Sequence, residues 1–151
     1  SKELSVFASD NNSVVYKYFI LGFFLLLWSN DTFAYLIGKT IGKHKLFERI
    51  SPKKTWEGTI GGIVMTLFTA YFISLWFSAT ALKHWLIIAL IISVFGTTGD
   101  LLESKFKRSL GVKDSGNILP GHGGILDRFD GLLISSPFAV IYLLLIQYYY
   151  L

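Results

Sequence analysis

Cysteine is absent from the 151 residues of this chain, which excludes disulfides and thiolate metal sites. Charge is scarce as well: 16% of the residues are Asp, Glu, Lys or Arg, against roughly 25% in soluble domains. Internal repeats and low-complexity tracts are missing. No signal pattern precedes the first apolar run, which opens near Tyr18 and continues for a full span. What is abundant is apolar: 52% of residues are hydrophobic and 17% aromatic, with a mean hydropathy of +0.53. A soluble core of this size cannot enclose so much apolar surface, so the expected solvent is a bilayer.

Four segments have the length and composition to cross a hydrocarbon core of about 30 Å. They are Tyr18 to Gly38, Thr59 to Phe77, Trp85 to Leu102 and Gly131 to Tyr150. The expected fold is therefore all-α: a polytopic integral membrane protein with about four transmembrane helices and two basic loops.

Those loops set the orientation. Lys39, Lys43, Lys45, Arg49, Lys53 and Lys54 follow the first span, and Lys105, Lys107, Arg108, Lys113 and Arg128 follow the third. Between spans two and three there is only Lys83. Positive charge marks the cytoplasmic side, so both long loops are expected in the cytoplasm. Trp76 and Trp85 flank the short turn, and Tyr148, Tyr149 and Tyr150 suit the same far interface. The net charge of +4 then reads as a cytoplasmic basic surface and not as a nucleic-acid site. In "SPKKTWEG", Ser51 reads as a helix N-cap with Pro52 at the first helical position. Lys53 and Lys54 at that entry suit phosphate groups, or serve as an ordinary positive-inside anchor.

Two acids lie where charge is costly. Asp31, in "WSNDTFAY" beside Asn30, and Asp100, in "GTTGDLLESKFKR", each fall within a span. Such carboxylates usually face a polar cavity, although Asp100 also suits the interfacial end of its span. On a helix Asp100, Glu103, Ser104 and Lys107 share a face, as do Asp127 and Asp130 if the fourth span begins there. Two helix ends would then bring acids to one membrane rim from opposite sides of one loop. All-oxygen ligands suit Mg²⁺ or another hard cation. Between the acids lie bases and "PGHGG", whose Gly123 and Gly124 let backbone N–H groups form an anion nest. His122 is either an acid or phosphate donor, or a polar residue fixing the turn. The combination points to metal-assisted phosphoryl or nucleotidyl transfer.

The segment "SKFKRSLGVKDSGNILPGHGGILDRFDG" (residues 104–131) resembles the signature of the phosphatidate cytidylyltransferases, and "NDTFAYLIGKTIGKHK" and "SPKKTWEG" resemble that family's other cytoplasmic-half motifs. The resemblance extends over essentially the whole chain as one membrane-embedded domain, 1–151, with the signature at 104–130. With four spans it resembles the C-terminal catalytic half of the family. It implies an enzyme of the bacterial inner membrane that joins CTP and phosphatidic acid into CDP-diacylglycerol and pyrophosphate at the cytoplasmic face. By that resemblance Asp100 and Asp127 hold a catalytic Mg²⁺, with a second cation such as K⁺ nearby, supported by Asp130 and Glu103. Lys107, Arg108, Lys113 and Arg128 hold the phosphates of CTP or of the lipid, and Asn30 and Asp31 line the cavity. A homodimer is implied by the resemblance alone.

Three rivals stand beside it. The CDP-alcohol phosphotransferases open on "DGxxAR", and here "DGLLIS" follows instead. A cation channel or transporter using Asp31 and Asp100 accounts for the acids in the spans but not for the basic, glycine-rich loop. The third is a catalytically incomplete fragment of the enzyme.

Overall fold

In a bilayer every backbone N–H and C=O must be satisfied internally, so long apolar runs become helices. The computed structural model describes residues 12–77, 80–111 and 126–150, and within them the chain is mostly helical. Helix α1 is Asn12–Ile41. Strands β1 (Lys45–Phe47) and β2 (Ser51–Thr55) follow, then α2 (Trp56–Trp76), α3 (Leu82–Ser109) and α4 (Leu126–Tyr150). Among the described residues three helices are long and apolar enough to cross a membrane, Tyr18–Ile41, Trp56–Trp76 and Leu82–Ser109. The fourth carries a shorter apolar stretch, Gly131–Ile146.

The four spans expected from hydropathy thus correspond to four helices, with one addition. The first basic loop folds into an antiparallel β-hairpin, pairing Lys45 with Thr55 and Phe47 with Ser51. This overturns the reading of Ser51 and Pro52 as a helix start. Pro52 sits in β2, and α2 begins only at Trp56 with Thr55 as its N-cap. The Thr55 hydroxyl accepts the Gly58 N–H at 3.1 Å, and Thr55 itself is buried against Gly38, Gly42 and Gly58. Ser51 and Thr55 are both competent caps, and contact with α1 decides between them. Proline is tolerated in such an edge strand because its missing N–H leaves no ladder bond broken.

Small residues set the seam between α1 and α2. A side chain at Gly58 would meet the Ala34 carbonyl, and one at Gly62 would meet the Ala34 methyl. Close approach of this kind is how helices associate without a hydrophobic drive between them. Beyond the seam the core gathers Leu26 of α1, Ala70 of α2 and Trp85, Ile88, Ala89 and Ile92 of α3. Phe19 stacks on Trp85 at 5.8 Å between ring centroids. Outward faces are apolar too: Trp28, Phe68, Phe72 and Leu144 are all exposed, as lipid-facing residues are.

Helices α3 and α4 pack antiparallel. The His84 ring and the Tyr142 hydroxyl lie 3.0 Å apart at one end, and Phe95 stacks on Phe138 at 3.7 Å. Nearer the hairpin end Gly131 lies against the backbone of Gly96, and Leu27 of α1 reaches the same contact.

A polar cavity at the hairpin end

That three-helix contact fixes the level of the acids. Asp31 lies four residues beyond Leu27, Asp100 four beyond Gly96, and Asp127 four before Gly131. Four residues are about one helical turn. Because α4 runs against α1 and α3 in direction, all three backbone positions fall one turn toward the hairpin from a single layer.

On that side lies a cavity of about 230 Å³. Helix α1 supplies Asn30, Asp31, Ala34 and Tyr35, and the hairpin supplies Lys53, Lys54 and Thr55. Thr59 of α2 and Thr97 and Asp100 of α3 complete it. Lys54 Nζ lies 2.5 Å from Asp100 Oδ2, and the Ser104 hydroxyl donates to Asp100 Oδ1 at 3.2 Å. Both oxygens of Asp100 are therefore oriented, one by the hairpin and one by its own helix. Asp31 also faces Lys54 and Asp100 across the cavity. Asn30 is buried, and its side-chain oxygen accepts from the Thr66 hydroxyl of α2 at 3.4 Å.

The hairpin that delivers the lysines is tied down at its base. The backbone N–H of His44 donates to both Glu57 oxygens at 3.2 Å, and His44 Nδ1 lies 2.6 Å from Glu57 Oε1. The Trp56 N–H donates to the His44 carbonyl at 3.0 Å. Glu57 stands in the first turn of α2, where a carboxylate also meets the positive end of the helix.

Helix α3 runs seven residues past the Leu102 limit expected for its span. This extension carries Glu103 and Lys107, paired at 3.1 Å and both largely buried, and the exposed Arg108. Of the four residues expected to share a face, Asp100 pairs with Ser104 and Glu103 with Lys107, and only Asp100 lines the cavity. Lys113, His122, Gly123 and Gly124 lie outside the described residues, as do the side chains of Asp127, Arg128 and Asp130. Among the described residues no group of three or more His, Asp or Glu is placed to hold a metal.

Tyr35, Thr55, Thr59 and Thr97 line the cavity without having been singled out in the sequence. For two of them a signal existed. Tyr35 follows Asp31 by four residues and Thr97 precedes Asp100 by three, so each shares a helix face with an acid.

Fold and site together define a class: a multi-pass helical membrane protein with carboxylates and lysines converging on one cavity near the end of its helices. The comparisons narrow this further. The Cytidylyltransferase family matches residues 4–146, and the chain belongs to that family. It is 51% identical over 132 residues to a phosphatidate cytidylyltransferase of Staphylococcus haemolyticus, covering 86% of this chain and 50% of the relative. It is 52% identical over 132 residues to that of Staphylococcus aureus, again covering 86% and 50%. The Staphylococcus epidermidis protein of the same name is 48% identical over 131 residues, covering 85% and 49%. The chain thus spans about half the length of the curated relatives it matches.

Proposed function

We propose that this chain carries the site at which CMP is transferred from CTP to phosphatidic acid, giving CDP-diacylglycerol and pyrophosphate. The observation that carries the reading is the convergence of Asp31, Asp100, Lys53 and Lys54 from α1, α3 and the hairpin on one cavity. The relatives' shared name supplies the substrates.

The donor set suits Mg²⁺: carboxylates, an amide oxygen and hydroxyls, with no nitrogen or sulfur ligand among the cavity residues. Lys54 already places one cation against Asp100. Asp100 and Asp127 would hold the ion, with Asp130 and Glu103 in support and a second cation such as K⁺ beside it. Held there, such an ion would supply charge neutralisation for the phosphates and for the leaving pyrophosphate.

The chain's own residues do the rest. Lys53 and Lys54 attract the phosphates of one substrate, with Lys107, Arg108, Lys113 and Arg128 for the other. Lys54 trades its contact with Asp100 for a phosphate oxygen, which frees that carboxylate as the substrate arrives. The lipid phosphomonoester is largely ionised near neutral pH, its second pKa being about 6. Its oxygen attacks the α-phosphorus of CTP and the bond to the bridging oxygen of the β-phosphate breaks, so no strong general base is required. His122 is a donor to the leaving phosphates. The basic loops and the site face the cytoplasm of a bacterial inner membrane.

The test is conversion of radiolabelled CTP into a lipid product by the purified chain. Product is expected only with both phosphatidic acid and Mg²⁺ present. A second reading is favoured by coverage, since the chain spans half of its relatives: this half binds substrates but turns over only beside the remainder. Product formed only after adding the other half of the Staphylococcus haemolyticus enzyme selects that reading. No product under either condition overturns both.

A further inference from the structure

Helices α1 and α4 flank a second cavity, an apolar groove of about 520 Å³. Its walls include Phe19, Ile20, Phe23 and Phe24 of α1 and Ala139 and Val140 of α4. Ile20, Phe24 and Val140 are exposed, so the groove opens toward lipid. Its alignment with the polar cavity is the informative feature. Phe19, Phe23, Asn30 and Ala34 lie at helical spacing, and so do Ile20, Phe24, Asp31 and Tyr35. One face of α1 is thus apolar along its first half and lines the polar cavity along its second.

We infer that the groove seats an acyl chain of the lipid substrate, with its phosphate in the polar cavity. The inference rests on reading that cavity as the phosphatidic acid site. Length supports it. At about 1.5 Å per residue, Phe19 lies roughly 18 Å along α1 from Asp31. Half a hydrocarbon core is about 15 Å, so the far end of the groove lies about one leaflet from the acid. A single chain hanging from a headgroup fills the groove and leaves the site open.

The test uses phosphatidic acid bearing a diazirine in one acyl chain, photolysed with the purified chain in nanodiscs and mapped by mass spectrometry. Adducts are expected on Phe23, Phe24 and Val140, and diazirine-bearing phosphatidylcholine should give markedly fewer. In parallel, Val140→Trp narrows the groove from an exposed position. It should lower kcat/KM for dipalmitoyl phosphatidic acid about tenfold more than for the dihexanoyl form, the size expected of overpacking.

Adducts spread evenly over lipid-facing residues such as Phe68 and Phe72 overturn the groove, as do equal losses for both chain lengths. Adducts that vanish when the other half of a relative is supplied assign the groove to that half and also overturn it. Groove adducts specific to phosphatidic acid, with no CMP transfer even beside that half, overturn the proposed reaction and leave the groove standing.

Discussion

At the scale of single residues, Asp100 carries the most weight. It receives Lys54 from the hairpin and Ser104 from its own helix while facing Asp31 across the cavity. The ion pair is partly exposed on both sides, and pairs of that kind contribute only about 0–1 kcal/mol to stability. A structural role is therefore a weak account of it. Asp100→Asn keeps the shape and an acceptor for Ser104 while removing the charge. It should lower CMP transfer about a hundred- to a thousandfold and leave the thermal unfolding midpoint in detergent nearly unchanged. Activity assays beside unfolding curves check this, and a variant that both transfers CMP and melts normally removes Asp100 from the site. Asp31 and Asp100 were legible in the sequence because carboxylates in apolar runs are costly. That Lys54 meets Asp100 was not, since no periodicity links a strand residue to a helix residue so far along the chain.

At the scale of elements, the helices were legible because the bilayer demands long apolar runs, and the hairpin was not. Its strands are three and five residues long, and neither shows an alternation of apolar and polar residues strong enough to read. What forms it is tertiary: the Glu57 carboxylate on His44 and the burial of Thr55 against three glycines. The Ser51 and Pro52 reading failed at the same point, because local capping rules cannot choose between two caps when α1 touches only one. Thr55→Val preserves volume and removes the hydroxyl that accepts from Gly58. Loss of an N-cap costs about 1 kcal/mol, so the unfolding midpoint should fall. The hairpin's grip on α1 loosens with it, so KM for CTP should rise about severalfold, the change expected from that same loss of roughly 1 kcal/mol. A lower midpoint with an unchanged KM would detach the hairpin from substrate binding.

At the scale of the whole molecule, the proposed reaction fixes which side of the membrane the cavity faces. The basic loops were legible as charge, and the structure places hairpin, cavity and the end of α3 together at one end of the helices. Lys83, in the first turn of α3, lies at the other. On the proposed reaction CTP reaches the site only if the hairpin end is cytoplasmic, so topology and that reading stand or fall together. The absence of cysteine makes the experiment clean, because one introduced thiol is the only reactive one. Lys45→Cys marks an exposed position in the first strand of the hairpin, and Lys83→Cys marks an exposed position in the first turn of α3. In intact bacterial cells stripped of their outer barrier, a membrane-impermeant maleimide should label Lys83→Cys and spare Lys45→Cys. Permeabilisation should then expose Lys45→Cys to the same reagent. The reverse pattern would put the cavity on the side without CTP, and cytidylyl transfer from a cytoplasmic pool would have to be abandoned.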